Sequence, residues 1–308
     1  MRRLPVVFLA LLTACACGMV MSATVSASVP PARAAQACDR TLPVGSAPIT
    51  IRSGELDRTA IVHVPAGLPA GPVPLVLVLH GAGQQGAVFE ADTGFSTIAD
   101  AEGFVAVYPD ARPGAGGRPF WNINDREAGA ADDVGFLRDL LATVAAQACT
   151  DPARVFATGM SNGGSMTARI GCELSDELAA IAPISGGYGS QPACTPIHPV
   201  SVLEVHGTLD AVVPYAGKAG GSGAVMPYLG RWAAWDACRT RPWSHLIAPR
   251  VMRLDWRGCA AGTAVSHLRI GGGVHQVPGG SPPEPGPASP LSAPLLIWRF
   301  FATHARQG

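Results

Sequence analysis

Residues 154–166 read RVFATGMSNGGSM, and the fold turns on how this stretch is read. The opening RVFAT is apolar enough for a buried strand, and it runs directly into Ser161, set between Gly159 and Gly163. Residues 166–174 then carry apolar side chains at helical spacing. Strand, sharp turn and helix in this order is the setting of the G-x-S-x-G nucleophile elbow, where glycines flank the serine because neighbouring backbone comes too close for a Cβ. A serine so placed projects at a helix N-terminus, whose partial positive charge favours a developing anion. The plainer alternative is a helix N-cap serine in a glycine-rich turn. Five residues are too few to decide between them, so the surroundings must.

Outward from the turn, apolar runs recur at residues 60–64, 75–79 (LVLVL), 104–108 (FVAVY), 179–184, 200–205 and 265–270. Runs without polar alternation suit strands covered on both faces. Helical patterns lie between several of them. In residues 133–147, Val134, Leu137, Leu140, Leu141 and Val144 fall at helical spacing behind Asp132 or Asp133 as N-cap, and residues 295–304 look similar. This alternation predicts a single α/β domain with a mostly parallel central sheet flanked by helices. Pro-rich residues 278–294 read as a surface loop before a last packing helix.

Lys plus Arg and Asp plus Glu number 22 each, so no net field draws the chain to nucleic acid or an anionic membrane. With 48% hydrophobic residues the chain reads as globular. Met1-Arg2-Arg3 followed by uncharged, apolar residues 4–25 and by Ala32-Arg33-Ala34 reads as an export signal with its cleavage site. Residues 1–35 are expected to be a signal peptide and residues 36–308 the folded domain. Leu12-Thr13-Ala14-Cys15 also matches a lipobox, which would lipidate Cys15, and an uncleaved anchor is a third possibility. Outside the leader stand six cysteines, Cys38, Cys149, Cys172, Cys194, Cys238 and Cys259. An even set in an exported chain predicts disulfides, with Cys238–Cys259 as the preferred local bridge. No CxxC pair or Cys/His cluster at zinc spacing occurs, so no metal is expected.

A serine hydroxyl is a poor nucleophile until a base takes its proton, and where such a turn is catalytic an acid and then a histidine follow in the chain. In VSVLEVHGTLDAVVPY, Asp210 lies just past a strand end, where open α/β sheets bind ligands. Asp236, in a helix-like stretch, and Asp255, close to Cys259, are its rivals, and a turn-capping aspartate is the bland reading. His275 in RIGGGVHQVPGG follows a strand, sits in a glycine-rich loop and comes after Asp210, which makes it the candidate base over a solvated loop histidine. His206, at a strand end, reads as structural. Finally, LVLVLHGAGQQG carries an H-G-x-G loop after a strand; its Ala82 N–H and the N–H of Asn162 are the candidate oxyanion donors.

Taken in order, HGAGQ, GFVAVYPDA, DDVGFLRDLL, DPARVFATGMSNGGSM, AAIAPISG, HGTLDAVVPYAG and GGVHQVPGG resemble the bacterial polyhydroxybutyrate depolymerase/feruloyl esterase group of secreted α/β-hydrolases, related to carbohydrate esterase family 1. The likeness runs from about Ile49 onward. It implies an α/β-hydrolase fold and a secreted or lipid-anchored serine esterase without metal or cofactor, with Ser161, Asp210 and His275 as its triad. One departure is visible: the group often has G-G-G-H-x-W-P-G, and this chain has Val274 for the third glycine and Val277 for the tryptophan. His275 stays in register, while the usual aromatic wall needs another source. Trp121 of PFWNIN is the candidate replacement at the substrate, with His80 beside it, and a core tryptophan is the alternative.

The reading that follows is two-step acyl transfer on an ester substrate, polyester, feruloyl or acetylated polysaccharide, with no nucleic acid and no obligate protein partner. An acyltransferase with the same triad and a non-catalytic, hydrolase-like binding protein share these motifs. The sequence ends soon after the last predicted helix, so no appended polymer-binding domain is expected.

Overall fold

The uninterrupted apolar run LVLVL is explained by its place in the middle of a ten-stranded sheet. It belongs to β3 (Val73–Leu79), whose Leu75, Leu77 and Leu79 face one core while Val76 and Val78 face the other. The computed structural model describes residues 39–114, 116–124, 130–218, 222–280 and 291–307. The expected signal peptide, the lipobox cysteine Cys15, Cys38 and most of the Pro-rich loop lie outside the described residues.

In chain order the remaining strands are β1 (Gly45–Ser53), β2 (Leu56–Val64), β4 (Val105–Pro109), β5 (Thr150–Met160), β6 (Ala180–Ile184), β7 (Ser201–Gly207), β8 (Trp243–Ala248), β9 (Val251–Trp256) and β10 (Val265–Ile270). The helices are α1 (Gly86–Thr93), α2 (Phe95–Glu102), α3 (Asp133–Ala148), α4 (Asn162–Glu173), α5 (Val225–Trp235) and α6 (Ala293–Phe301). Across the sheet the order is β1-β2-β4-β3-β5-β6-β7-β10-β9-β8. Neighbours from β4 to β10 run parallel. The two edges are antiparallel. The sheet is therefore mixed, with the expected parallel strands forming its centre.

Side chains of α3, α4 and α5, among them Phe136, Leu140, Ile170 and Trp232, fill one core. Phe89 and Phe95 from α1 and α2 and Trp298 and Phe301 from α6 fill the other. At the start of α3, Asp132, one of the two aspartates expected there, caps the helix by accepting from the Gly135 N–H. Disulfides join Cys172 to Cys194 and, as expected, Cys238 to Cys259. Cys149 is disulfide-bonded as well.

Candidate active site

The parallel centre brings the C-terminal ends of β3, β5, β7 and β10 to one edge of the sheet, and every candidate residue except Trp121, which lies between β4 and α3, follows one of these ends. Ser161 occupies the single position between β5 and α4, with φ 58° and ψ −118°. A positive φ at a non-glycine residue stores about 1–3 kcal/mol and persists only where surrounding structure enforces it. Here the Ser161 N–H donates to the Ile184 carbonyl at 2.9 Å, and the Ser165 N–H donates back to the Ser161 carbonyl at 2.9 Å. The glycines answer the steric requirement anticipated from sequence. A Cβ on Gly163 would lie 2.2 Å from the Leu79 carbonyl oxygen, and one on Gly159 2.7 Å from the same atom.

The H-G-x-G loop borders the serine: a Cβ on Gly81 would stand 3.7 Å from the Cβ of Ser161. Its course is fixed by Gly83 N–H donating to Pro119 O at 2.7 Å and by Gly81 N–H donating to Gln84 Oε1 at 3.1 Å. Asn162 is clasped to Trp121 by two bonds, Trp121 N–H to its Oδ1 at 2.7 Å and its Nδ2 to Trp121 O at 3.2 Å. That clasp uses the side chain alone, and the first N–H of a helix has no intrahelical partner. Among the described residues neither the Ala82 N–H nor the Asn162 N–H is engaged. Among the described residues, the donor next to Ser161 in the chain and one on the loop that borders it are thus unengaged.

The turns after β7 and β10 are strapped together. Thr208 N–H donates to Ile270 O, Leu209 N–H to Gly273 O, and Gly272 N–H to Thr208 Oγ1, each at 2.9 Å. Gly207 must lack a side chain there, because a Cβ would meet Gly273 O at 2.3 Å. The straps carry His275 to Asp210, whose Oδ2 lies 2.7 Å from His275 Nδ1. The other oxygen, Oδ1, accepts the Val212 and Val213 N–H groups at 2.9 and 2.8 Å. Burial alone would raise this carboxyl, but hydrogen bonds from His206 and His275 outweigh it and hold Asp210 well below the usual carboxylate range. The structure brings Asp210 and His275 into direct contact and leaves Ser161 on the same sheet edge without a hydrogen bond to His275 among the described residues.

His80 and Trp121, expected to touch substrate, are both fully buried. The Trp121 indole N–H donates to His80 O at 3.0 Å. His80 Nε2 accepts the Ala111 N–H at 3.0 Å while its Nδ1–H donates to Gly81 O at 2.7 Å. These partners fix one neutral tautomer, in line with the lowering of its pKa by burial. Both side chains therefore support the H-G-x-G loop, and Trp121 also lines the cavity beside Ala82. The exposed aromatic of PFWNIN is Phe120, which with Arg112, Arg118 and Ile123 lines a cavity of about 530 Å³ beside Ala82. Sequence reasoning also set His206 aside as structural, yet its Nε2 lies 3.3 Å from Asp210 Oδ2. The signal for it was Glu204 and His206, two polar residues spaced by two and hence on one face of an otherwise apolar strand.

Residues 56–213 match the profile of the family described as Esterase PHB depolymerase, just over half of the chain. The chain belongs to this PHB depolymerase esterase family. The matched segment contains Ala82, Ser161, Asn162 and Asp210, while His275 lies beyond it. Feruloyl esterase B of Piromyces equi is 29% identical over 231 residues, covering 71% of this chain and 42% of that protein. Poly(3-hydroxyalkanoate) depolymerase C of Paucimonas lemoignei is 34% identical over 128 residues, covering 41% of this chain and 30% of that protein. The chain therefore spans less than half the length of either relative. The solved acetyl xylan esterase from Aspergillus awamori superposes with a TM-score of 0.62 at 14% identity, covering 83% of this chain and 99% of that one, which establishes the α/β-hydrolase fold for this chain.

Proposed function

We propose that the chain is an exported serine ester hydrolase. His275 removes the Ser161 proton as Oγ attacks an ester carbonyl, and Asp210 orients the imidazole and stabilises its charged form. The Ala82 and Asn162 N–H groups hold the tetrahedral oxyanion. Collapse expels the alcohol, protonated by His275, and leaves an acyl-Ser161 ester. Water, deprotonated by His275, attacks that ester, and the imidazolium returns its proton to Ser161 Oγ as the acid departs. Hydroxyalkanoate polyester, feruloyl esters and acetylated polysaccharide are the substrate classes, by likeness to the relatives, with the cavity beside Ala82 as the place for the group flanking the ester.

The observation that carries this reading is the strained backbone of Ser161 together with two main-chain donors unengaged among the described residues. An N-cap serine would need neither, and Ser161 makes no side-chain cap bond. The test is hydrolysis of p-nitrophenyl acetate, butyrate and octanoate and of methyl ferulate by wild type and Ser161→Ala. Turnover of at least one ester, falling by about 10⁴-fold or more in the variant, is expected. Equal rates for the two folded proteins would overturn the proposal. The natural site of action is outside the cell, either as a free protein or held by a lipid on Cys15.

A further inference from the structure

Behind Asp210 lies a row of buried ionisable groups that two-step acyl transfer leaves unused. Glu204 and His206 project from the same face of β7, and both side chains are fully shielded from solvent. His206 Nδ1 is 2.9 Å from Glu204 Oε1. Its Nε2 is 2.8 Å from Val213 O and 3.3 Å from Asp210 Oδ2, the oxygen that also meets His275. A carbonyl oxygen only accepts, so Nε2 carries a proton. Nδ1 faces a carboxyl group that the two neighbouring histidines hold below the usual carboxylate range; its Oε1 accepts from the Tyr188 hydroxyl at 2.9 Å, and its Oε2 lies 2.7 Å from His267 Nδ1, which hydrogen-bonds the Glu204 main-chain carbonyl at 3.1 Å. Neutral imidazole has one N–H and could satisfy only one of these two acceptors.

We infer that His206 is a positioning residue, a buried imidazolium kept charged by Glu204, which fixes the Asp210 carboxylate and partly neutralises it toward His275. The inference rests on the proposed Ser161–His275–Asp210 chemistry. Burial would push His206 down, but its bonds to Asp210 and Glu204 raise it to about 10, and the two histidines bring Glu204 down to about 2. The other groups facing this row are His267 and Arg269 from β10, Tyr188 from the turn after β6, Tyr215 from the loop after β7, and Tyr228 from α5. Arg269 is exposed, with its guanidinium carbon 5.9 Å from the Tyr215 ring centre.

The direction of the effect follows from charge. A cation beside Asp210 offsets part of the carboxylate's charge toward its other neighbours. Removing the cation leaves Asp210 uncompensated, which moves the acid limb of the activity profile up.

The experiment is the pH profile of kcat/KM for the full chain on p-nitrophenyl butyrate, or on whichever ester it hydrolyses fastest, comparing wild type with His206→Gln and Glu204→Gln. Ser161→Ala is run beside them. The acid limb is expected to move up by about 0.5–1 pH unit in both variants, with kcat falling more than KM changes. An acid limb that stays within about 0.2 unit of wild type in folded variants reduces His206 to packing and overturns the inference. Should both variants fail to fold, the imidazole nitrogen shifts of His206 in the wild-type protein decide. Two N–H signals at pH 7 are expected, and a neutral ring would overturn the inference. Activity that survives Ser161→Ala would sink the acyl-transfer reading instead, whatever the nitrogen shifts of His206 are.

Discussion

A methyl group on Gly163 has nowhere to go, since the Leu79 and His80 carbonyl oxygens would stand 2.2 and 2.5 Å from it. Both oxygens belong to backbone that also shapes the H-G-x-G loop, so neither can retreat without moving Ala82. Gly163→Ala is expected to destabilise the fold by about 3 kcal/mol or more and to abolish esterase activity, read by urea denaturation and an ester assay. Gly230, exposed on α5, is the contrast, because a methyl group there would meet nothing within 4 Å. Gly230→Ala should stabilise by about 0.5–1 kcal/mol in the same measurement. The steric part of the site was legible in GMSNGG because close approach demands glycine whatever the partner. The identity of the partner, a carbonyl on β3, was not, because strand order is invisible in a linear chain.

At the scale of elements, one buried ion pair ties β2 to α3. Arg58 donates to Asp133 Oδ1 at 2.7 Å, both side chains being buried, and its guanidinium lies 3.8 Å from the centre of the Phe136 ring. Asp133 Oδ2 accepts the Asn122 N–H at 2.8 Å, so the pair also holds the segment that follows Trp121 beside the cavity. Arg58→Met strands a buried carboxylate and should cost about 3–5 kcal/mol, whereas Arg58→Met with Asp133→Asn should recover part of the loss in a denaturation series. The disulfides act on elements in the same way, Cys172–Cys194 anchoring the end of α4 and Cys238–Cys259 the end of α5. They span 22 and 21 residues, and each should contribute about 3 kcal/mol, so replacing either pair with serine is expected to lower Tm by about 6–12 °C in a thermal melt. Of the elements, the central strands were evident as apolar runs. β1, β8 and β9 were not: β1 and β8 are the sheet edges, and only Ile51, Val251 and Trp256 among the three strands are buried, so no continuous apolar run marks them.

For the whole molecule, stability against pH is a contest between buried groups of opposite tendency. Asp236, fully buried, accepts from the Val200 N–H at 3.3 Å through Oδ1, and burial raises its carboxyl to about 7. Between about pH 4 and 7 the folded state binds a proton here that the unfolded chain has lost, so this group's contribution falls as pH rises through that window. Asp236→Asn cannot ionise and should match wild type near pH 4 while exceeding it by about 2–4 kcal/mol at pH 8, measured by urea denaturation at both values. Equal curves at pH 8 would refute the assignment. Asp210 and Glu204, both lowered, act in reverse: they contribute above the unfolded carboxylate range and lose that contribution as pH falls. His206, raised to about 10, contributes fully below about pH 6.5 and is lost as pH climbs through 10.

The sequence by itself determined what depends on local chemistry. Apolar runs marked the buried strands, the pair Asp132-Asp133 marked the start of α3, and glycines marked a turn too tight for side chains. Its motifs in order were enough to suggest the family before any strand was paired. Only the tertiary structure decided what depends on which strands become neighbours. It set β10 beside β7, so that residues 65 apart meet as Asp210 and His275. It turned His80 and Trp121 into the interior and aligned Glu204 and His206 behind the carboxylate. Side-chain periodicity tells which face of an element is buried, but only sheet order and loop straps tell what that face will touch.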